Sequence, residues 1–104
     1  MRLRWTRKAK YDLNTLYEYY YLKSPRVASR MYNSVLEEAE RLLHSPNIGV
    51  KVEELSTEKL QIHSLVILNG LYKLLYATDN NKVAIYRICS CRQNPESTIF
   101  TLFS

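Results

Sequence analysis

The stretch Asn69–Pro95, NGLYKLLYATDNNKVAIYRICSCRQNP, decides how this chain folds. Two apolar runs, Leu71–Thr78 and Lys82–Ser90, flank the polar Asp79-Asn80-Asn81. Runs of this length, rich in Leu, Val, Ile and Tyr and bounded by turn residues, read as neighbouring strands. Asn69-Gly70 ahead of them reads as a two-residue primed hairpin turn, because both residues tolerate positive φ. It joins Leu71–Thr78 back to Leu60–Leu68, which is itself strongly strand-like. The reading is a strand meander that ends on a polar cluster, Arg92, Gln93 and Asn94.

Before the meander the period changes from two to 3.6. Arg2-Leu3-Arg4-Trp5 alternates and predicts a half-buried strand with Leu3 and Trp5 inward. Thr6 then stands where a helix N-cap is wanted. Ala9, Leu13, Leu16 and Tyr20 recur at helical spacing and predict a helix over Arg7–Lys23, its buried stripe widened by Tyr17 and Tyr21. Ser24-Pro25 punctuates the chain as cap and first helical residue of a second helix over Pro25–His44. Ala28, Met31, Val35, Ala39 and Leu42 form its inner face, and Glu37 with Arg41 makes an i, i+4 pair. Almost nothing separates the helices, so they form an antiparallel hairpin. Ser45-Pro46-Asn47 ends the second helix, and Gly49–Ser56 is a connector with a weak strand signal. Ser97–Phe103 is apolar enough for a last short strand or a docked segment. Early helices and a late meander predict one α+β domain, with the hairpin on one face of an antiparallel β-sheet and the other face free.

Composition bounds the function. A chain of 104 residues with 46% apolar content supports one core and is not a disordered tail. No apolar run approaches the ~20 residues that span a bilayer. The basic start has no apolar segment behind it, so no signal peptide is expected and the expected location is cytoplasmic. Cys89 and Cys91 are two apart on a strand, about 7 Å, which suits neither a disulfide nor, without a nearby His pair, zinc. Nothing in the sequence calls for a metal or another cofactor. Fifteen Lys and Arg stand against ten Asp and Glu, a formal charge of +5, and five of the cations lie in the first ten residues. That imbalance points to an anionic partner, either nucleic acid or an acidic polypeptide. Nine tyrosines are present, five of them in the first helix. At helical spacing Tyr17, Tyr20 and Tyr21 belong with the core, while Tyr11 and Tyr19 are left partly exposed, Tyr19 as a candidate protein-contact anchor.

In this order the elements resemble the RelE/ParE superfamily, the toxin half of bacterial toxin–antitoxin pairs. The residues that carry the resemblance are Ala9-Lys10-Tyr11-Asp12-Leu13, Ser24-Pro25, Pro46-Asn47-Ile48-Gly49, Glu54-Leu55, Tyr72-Lys73-Leu74-Leu75-Tyr76 and Arg92-Gln93. The resemblance implies a growth-inhibiting toxin neutralised by a cognate antitoxin, and it leaves two mechanisms. RelE-like members resemble ribosome-dependent endoribonucleases that cut messenger RNA, a reaction that needs a base, cations for the phosphorane and an acid. Lys73, Arg87 and Arg92 would be the cations. The segment after Arg92 has Phe100 and Phe103 but no Tyr or His, which leaves His63 as the substitute proton donor. ParE-like members resemble poisons of DNA gyrase that act by binding, and the missing acid favours that side. Partner contacts are then expected at Arg92, Gln93, Tyr19, Arg2 and Arg4. A toxin-like fold kept only as a binding module is the third possibility.

Overall fold

In the computed structural model residues 2–91 are described. They form β1 (Arg2–Trp5), α1 (Arg7–Tyr21), α2 (Pro25–His44), β2 (Val50–Lys51), β3 (His63–Ile67), β4 (Tyr72–Asp79) and β5 (Lys82–Ser90). Short 3-10 turns occupy Glu53–Leu55 and Leu68–Gly70. The sheet order is β1-β5-β4-β3-β2. The meander β2 to β5 is antiparallel, and β1 adds to its far edge parallel to β5, so the sheet is mixed.

The helices begin where capping chemistry allows. Thr6 Oγ1 accepts the Ala9 N–H at 3.1 Å, and Ser24 Oγ accepts that of Val27 at 3.3 Å. α2 buries Ala28, Met31, Val35, Ala39 and Leu42, the whole expected face. α1 ends at Tyr21, two residues before its expected end. The expected Glu37–Arg41 pair does not form. Arg41 instead reaches Glu38, one turn back, at 2.7 Å.

The main core lies between the helical hairpin and one sheet face, where Leu13, Met31, Val35 and Leu42 meet Ile67, Leu74, Tyr76, Val83, Ile85 and Ile88. The opposite face is not left free, contrary to the alternation argument. The segment from Val52 to Ile62 folds over it and packs Leu55 and Ile62 on Leu75, Ala77 and Cys89. β4 is therefore covered on both sides, which is why Leu74-Leu75-Tyr76-Ala77 reads as an unbroken apolar run.

The two turns exchange the roles expected of them. The tight primed turn is Asn80-Asn81, with φ of 46° and 63° between the paired Asp79 and Lys82. Asn69-Gly70 lies within a four-residue loop between the paired Ile67 and Tyr72. Leu68, Asn69 and Gly70 all have positive φ there, 52°, 57° and 86°.

Two polar anchors fasten the layers. The first is at the edge of β5. β1 covers that edge only as far as Ile85, and there the pairing of β4 and β5 shifts, with Tyr76 opposite Ile85 and Leu75 opposite Arg87, so Tyr86 is a bulge. α1 satisfies the backbone that β1 does not reach. Thr6 Oγ1 donates to the Tyr86 carbonyl at 3.0 Å, and the Ile88 N–H donates to Asp12 Oδ2 at 3.0 Å. The same carboxylate takes Arg87 in a two-pronged pair, Nε at 2.7 Å and Nη2 at 2.8 Å. The second anchor is Tyr76, fully buried, whose hydroxyl donates to the Pro46 carbonyl at 2.8 Å and accepts the Gly49 N–H at 2.9 Å. A Cβ on Gly49 would come within 2.7 Å of Cε1 of this ring and 2.8 Å of the Ser64 carbonyl, so only glycine fits.

The side chains of Arg87 and Asp12 are 13% and 11% exposed, so removing one partner strands a charge inside the protein. Asp12→Ala should cost about 3–5 kcal/mol, while Tyr76→Phe, which orphans one acceptor and one donor, should cost about 1–3 kcal/mol. Urea unfolding monitored by far-UV circular dichroism measures both. A loss below ~1 kcal/mol for Asp12→Ala would show that the pair does not anchor α1.

Candidate functional site

Of the residues expected to serve a nuclease, Lys73, Arg87 and His63 are described, and His63 lies on the other sheet face from Lys73. Lys73 is half-buried on β4, opposite Val66 on one side and Cys89 on the other, and therefore on the sheet face away from the helices. Arg87 is close enough to Cys89 to influence it, but its guanidinium is held by Asp12, which raises its pKa further. His63 faces the other way. It pairs with Tyr76 across the strands and stacks on that ring at 5.6 Å and 30°, on the helix-covered side. Its Nδ1 is buried without a hydrogen-bond partner among the described residues. The sheet thus separates the histidine from Lys73. Arg92 and Gln93 lie outside the described residues.

Cys89 behaves as packing. Burial pushes its thiol up to about 11, Asp12 adds to the rise, and Arg87 and Lys73 pull in the opposite direction. Cys91 is exposed, and both cysteines are free.

Two open clefts lie on the helical hairpin. An open cleft of about 380 Å³ runs between α1 and α2, lined by Asn14, Tyr17, Ser29, Tyr32 and Asn33. It continues into a second of about 360 Å³, lined by Tyr17, Glu18, Tyr21 and Leu22. Tyr17 joins the two and touches both aromatic neighbours, Tyr32 edge-on at 5.7 Å and Tyr21 at 5.8 Å. Leu22 is 89% exposed and Tyr21 50% exposed, so Tyr21 belongs to this surface and not to the core as its spacing suggested. The sequence signal was present in Tyr17 and Tyr21 at i, i+4, followed by an apolar Leu22 where a polar cap would serve. Spacing alone could not say whether that row faced the sheet or solvent.

Tyr19 stands on the next face of α1, 52% exposed as expected. Lys23 Nζ donates to its hydroxyl at 2.8 Å and lies 4.3 Å from the ring centroid, which holds the ammonium above its usual pKa. Behind it Tyr72, against Tyr20, is pushed by burial up to about 12. With Leu71 and Ser90 these residues line a small cavity at the end of β5. Arg2 and Arg4 are exposed on β1.

The family model for the ParE toxin of the type II toxin–antitoxin system parDE matches residues 3–95. The chain belongs to the ParE toxin family. Among solved structures it is similar to a chain of the chromosomal ParDE TA system from P. aeruginosa, with a TM-score of 0.71 and 22% identity over 86% of this chain and 95% of that one. A comparison with curated sequences finds no match. The likeness to the P. aeruginosa chain is one of fold: two helices on a five-stranded mixed sheet. Among the described residues of this ParE-family chain no helix is long and apolar enough to cross a membrane.

Two chemical outcomes follow from the cysteines. Under native conditions at about pH 8 a thiol reagent should modify Cys91 quickly and Cys89 only on unfolding. Because the Cys89 pKa is raised above its unfolded value, its contribution to stability is complete below about pH 8.5 and is lost as the pH rises towards 11. Melting temperatures across that range should fall more steeply for the native chain than for Cys89→Ala. Equal slopes would show that Cys89 is not the titrating group.

Proposed function

We propose that this chain inhibits bacterial growth by binding DNA gyrase in the cytoplasm, and that a cognate antitoxin neutralises it. Membership of the ParE toxin family carries the reading. What favours a binding mechanism over RNA cleavage is the separation of His63 from Lys73 by the sheet, together with the engagement of Arg87 by Asp12. A gyrase poison needs a shaped surface and no general acid.

The antitoxin would use an acidic, helix-forming segment. Its apolar face would enter the cleft formed by Tyr17, Tyr21, Leu22 and Tyr32, where aromatic anchors are already in place. Its acidic residues would find Lys23 beside Tyr19, at the same end of α1. Arg92 and Gln93 keep the partner role that the resemblance gives them.

Regulated expression in bacteria tests the target. The expected outcome is accumulation of gyrase-linked DNA breaks before translation stops, with no cleavage of messenger RNA on programmed ribosomes. Ribosomal cleavage that disappears in Lys73→Ala would establish the RelE-like mechanism instead. Neither activity, with tight partner binding retained, would identify a binding module. For the antitoxin, Leu22→Asp should weaken binding about tenfold or more at unchanged melting temperature, as expected of an exposed anchor. Unchanged affinity would move the docking surface off the helical hairpin.

A further inference from the structure

One end of the molecule carries cations that nothing in the fold explains. Leu3 and Trp5 of β1 pack into the main core, so Arg2 and Arg4 stand on the opposite sheet face. The parallel register places Arg2 beside Lys82 and Arg4 beside Ala84. At the same edge of the sheet the chain enters α1 on the helix-covered face, and its first turns carry Arg7 and Lys10, both exposed. That first turn contains no acidic residue, although a helix N-terminus favours negative charge. None of Arg2, Arg4, Arg7, Lys10 or Lys82 forms a side-chain hydrogen bond or ion pair among the described residues. Asp79, opposite Lys82 on β4, is the acid that borders the row.

Keeping an edge strand from pairing with other chains would be served by either sign of charge. Solubility would be served by cations spread over the surface. Neither accounts for five cations of one sign gathered along one strand edge and the helix that follows it.

We infer that this row is a phosphate-binding ridge that takes the backbone of duplex DNA. An acidic polypeptide is the competing anion, but a segment that orders on binding needs apolar pockets for its anchors. The clefts along the hairpin and around the Leu68–Leu71 loop are lined by no residue of the row. A duplex backbone is rigid beforehand and needs only cations at its own spacing. Arg2 and Arg4, two residues apart on a strand, are separated by about 7 Å, close to the repeat of phosphates along one strand. Tyr11, 70% exposed and one turn beyond Arg7, adds an aromatic at the ridge. The biological meaning rests on the gyrase reading, since gyrase holds duplex DNA. The binding itself does not.

The test uses the purified full chain and a labelled duplex of about 20 base pairs and arbitrary sequence, with anisotropy followed between about 50 and 200 mM salt. Binding should weaken steeply with salt, with a logarithmic slope of about −4.5 for five cations. Arg2→Gln/Arg4→Gln/Lys82→Gln should make the slope shallower by about 3 and weaken binding at least about tenfold at low salt. Arg26→Gln/Arg30→Gln/Lys59→Gln, which removes the same charge from exposed positions elsewhere, should leave the slope unchanged. Arg4→Gln alone should remove about one unit of slope, which keeps the test valid if the triple variant folds poorly. No binding, or equal losses in both triple variants, overturns the inference. So does polyglutamate that competes through the same three residues at lower concentration than the duplex. Because no gyrase is present, failure here leaves the growth-inhibition reading standing, and loss of that reading leaves the binding result standing.

Discussion

The architecture hangs on the Asp12 carboxylate. Parallel pairing lets β1 cover β5 only to Ile85, and beyond that point β5 would present bare backbone to solvent. Asp12 accepts the Ile88 N–H there and neutralises Arg87 in the same contact. An aspartate in the second turn of a helix is thereby made part of a sheet edge. α1 cannot slide without breaking a buried ion pair, and the bulge at Tyr86 cannot straighten without withdrawing its carbonyl from Thr6. Breaking such a pair costs far more than replacing it whole with apolar groups, so the pair is better understood as fixing geometry than as a source of net stability.

Tyr76 does the corresponding work further across the sheet, on β4. Its hydroxyl ties down the turn that leaves α2 by one carbonyl and one N–H, and it requires glycine at position 49. Several short patterns that carry the family resemblance are therefore halves of contacts. Pro46-Asn47-Ile48-Gly49 answers Tyr76 at the end of Tyr72-Lys73-Leu74-Leu75-Tyr76, and the aspartate of Ala9-Lys10-Tyr11-Asp12-Leu13 answers Arg87. These residues hold the scaffold together, which leaves recognition to the surfaces around them.

Periodicity made the elements legible. Helix faces, caps and the bounds of β5 follow from spacing, because a 3.6 or 2.0 repeat is written into every residue of a regular segment. The bulge defeated the same reasoning. Strict alternation puts Val83, Ile85 and Arg87 on one face, which would bury an arginine under the helices. The extra residue at Tyr86 resets the phase, so Ile88 joins the main core and Arg87 turns to the edge. The second sheet face was misjudged for a related reason. Val52, Leu55, Leu60 and Ile62 follow no repeat, so their shared role as a cover over Leu75 and Cys89 appears only in three dimensions. His63 is a candidate proton donor by sequence only because the segment after Arg92 has no Tyr or His, and a lone histidine carries no signal about which face of its strand it occupies.

Once these side chains are committed to the interior, the surface divides into two regions of different character. The aromatic cleft with Tyr21 and Leu22 lies at the C-terminal end of α1, and the cationic ridge lies at its N-terminal end. A helix rises about 1.5 Å per residue, so Arg7 and Leu22 are separated by about 22 Å along α1. An apolar helix seated at one end therefore does not cover the ridge at the other. Desolvating aromatic groups demands shape, whereas attracting phosphates demands only charge held within a Debye length of about 10 Å. Keeping the two demands on opposite ends of one rigid helix lets a small domain meet both without compromise in either.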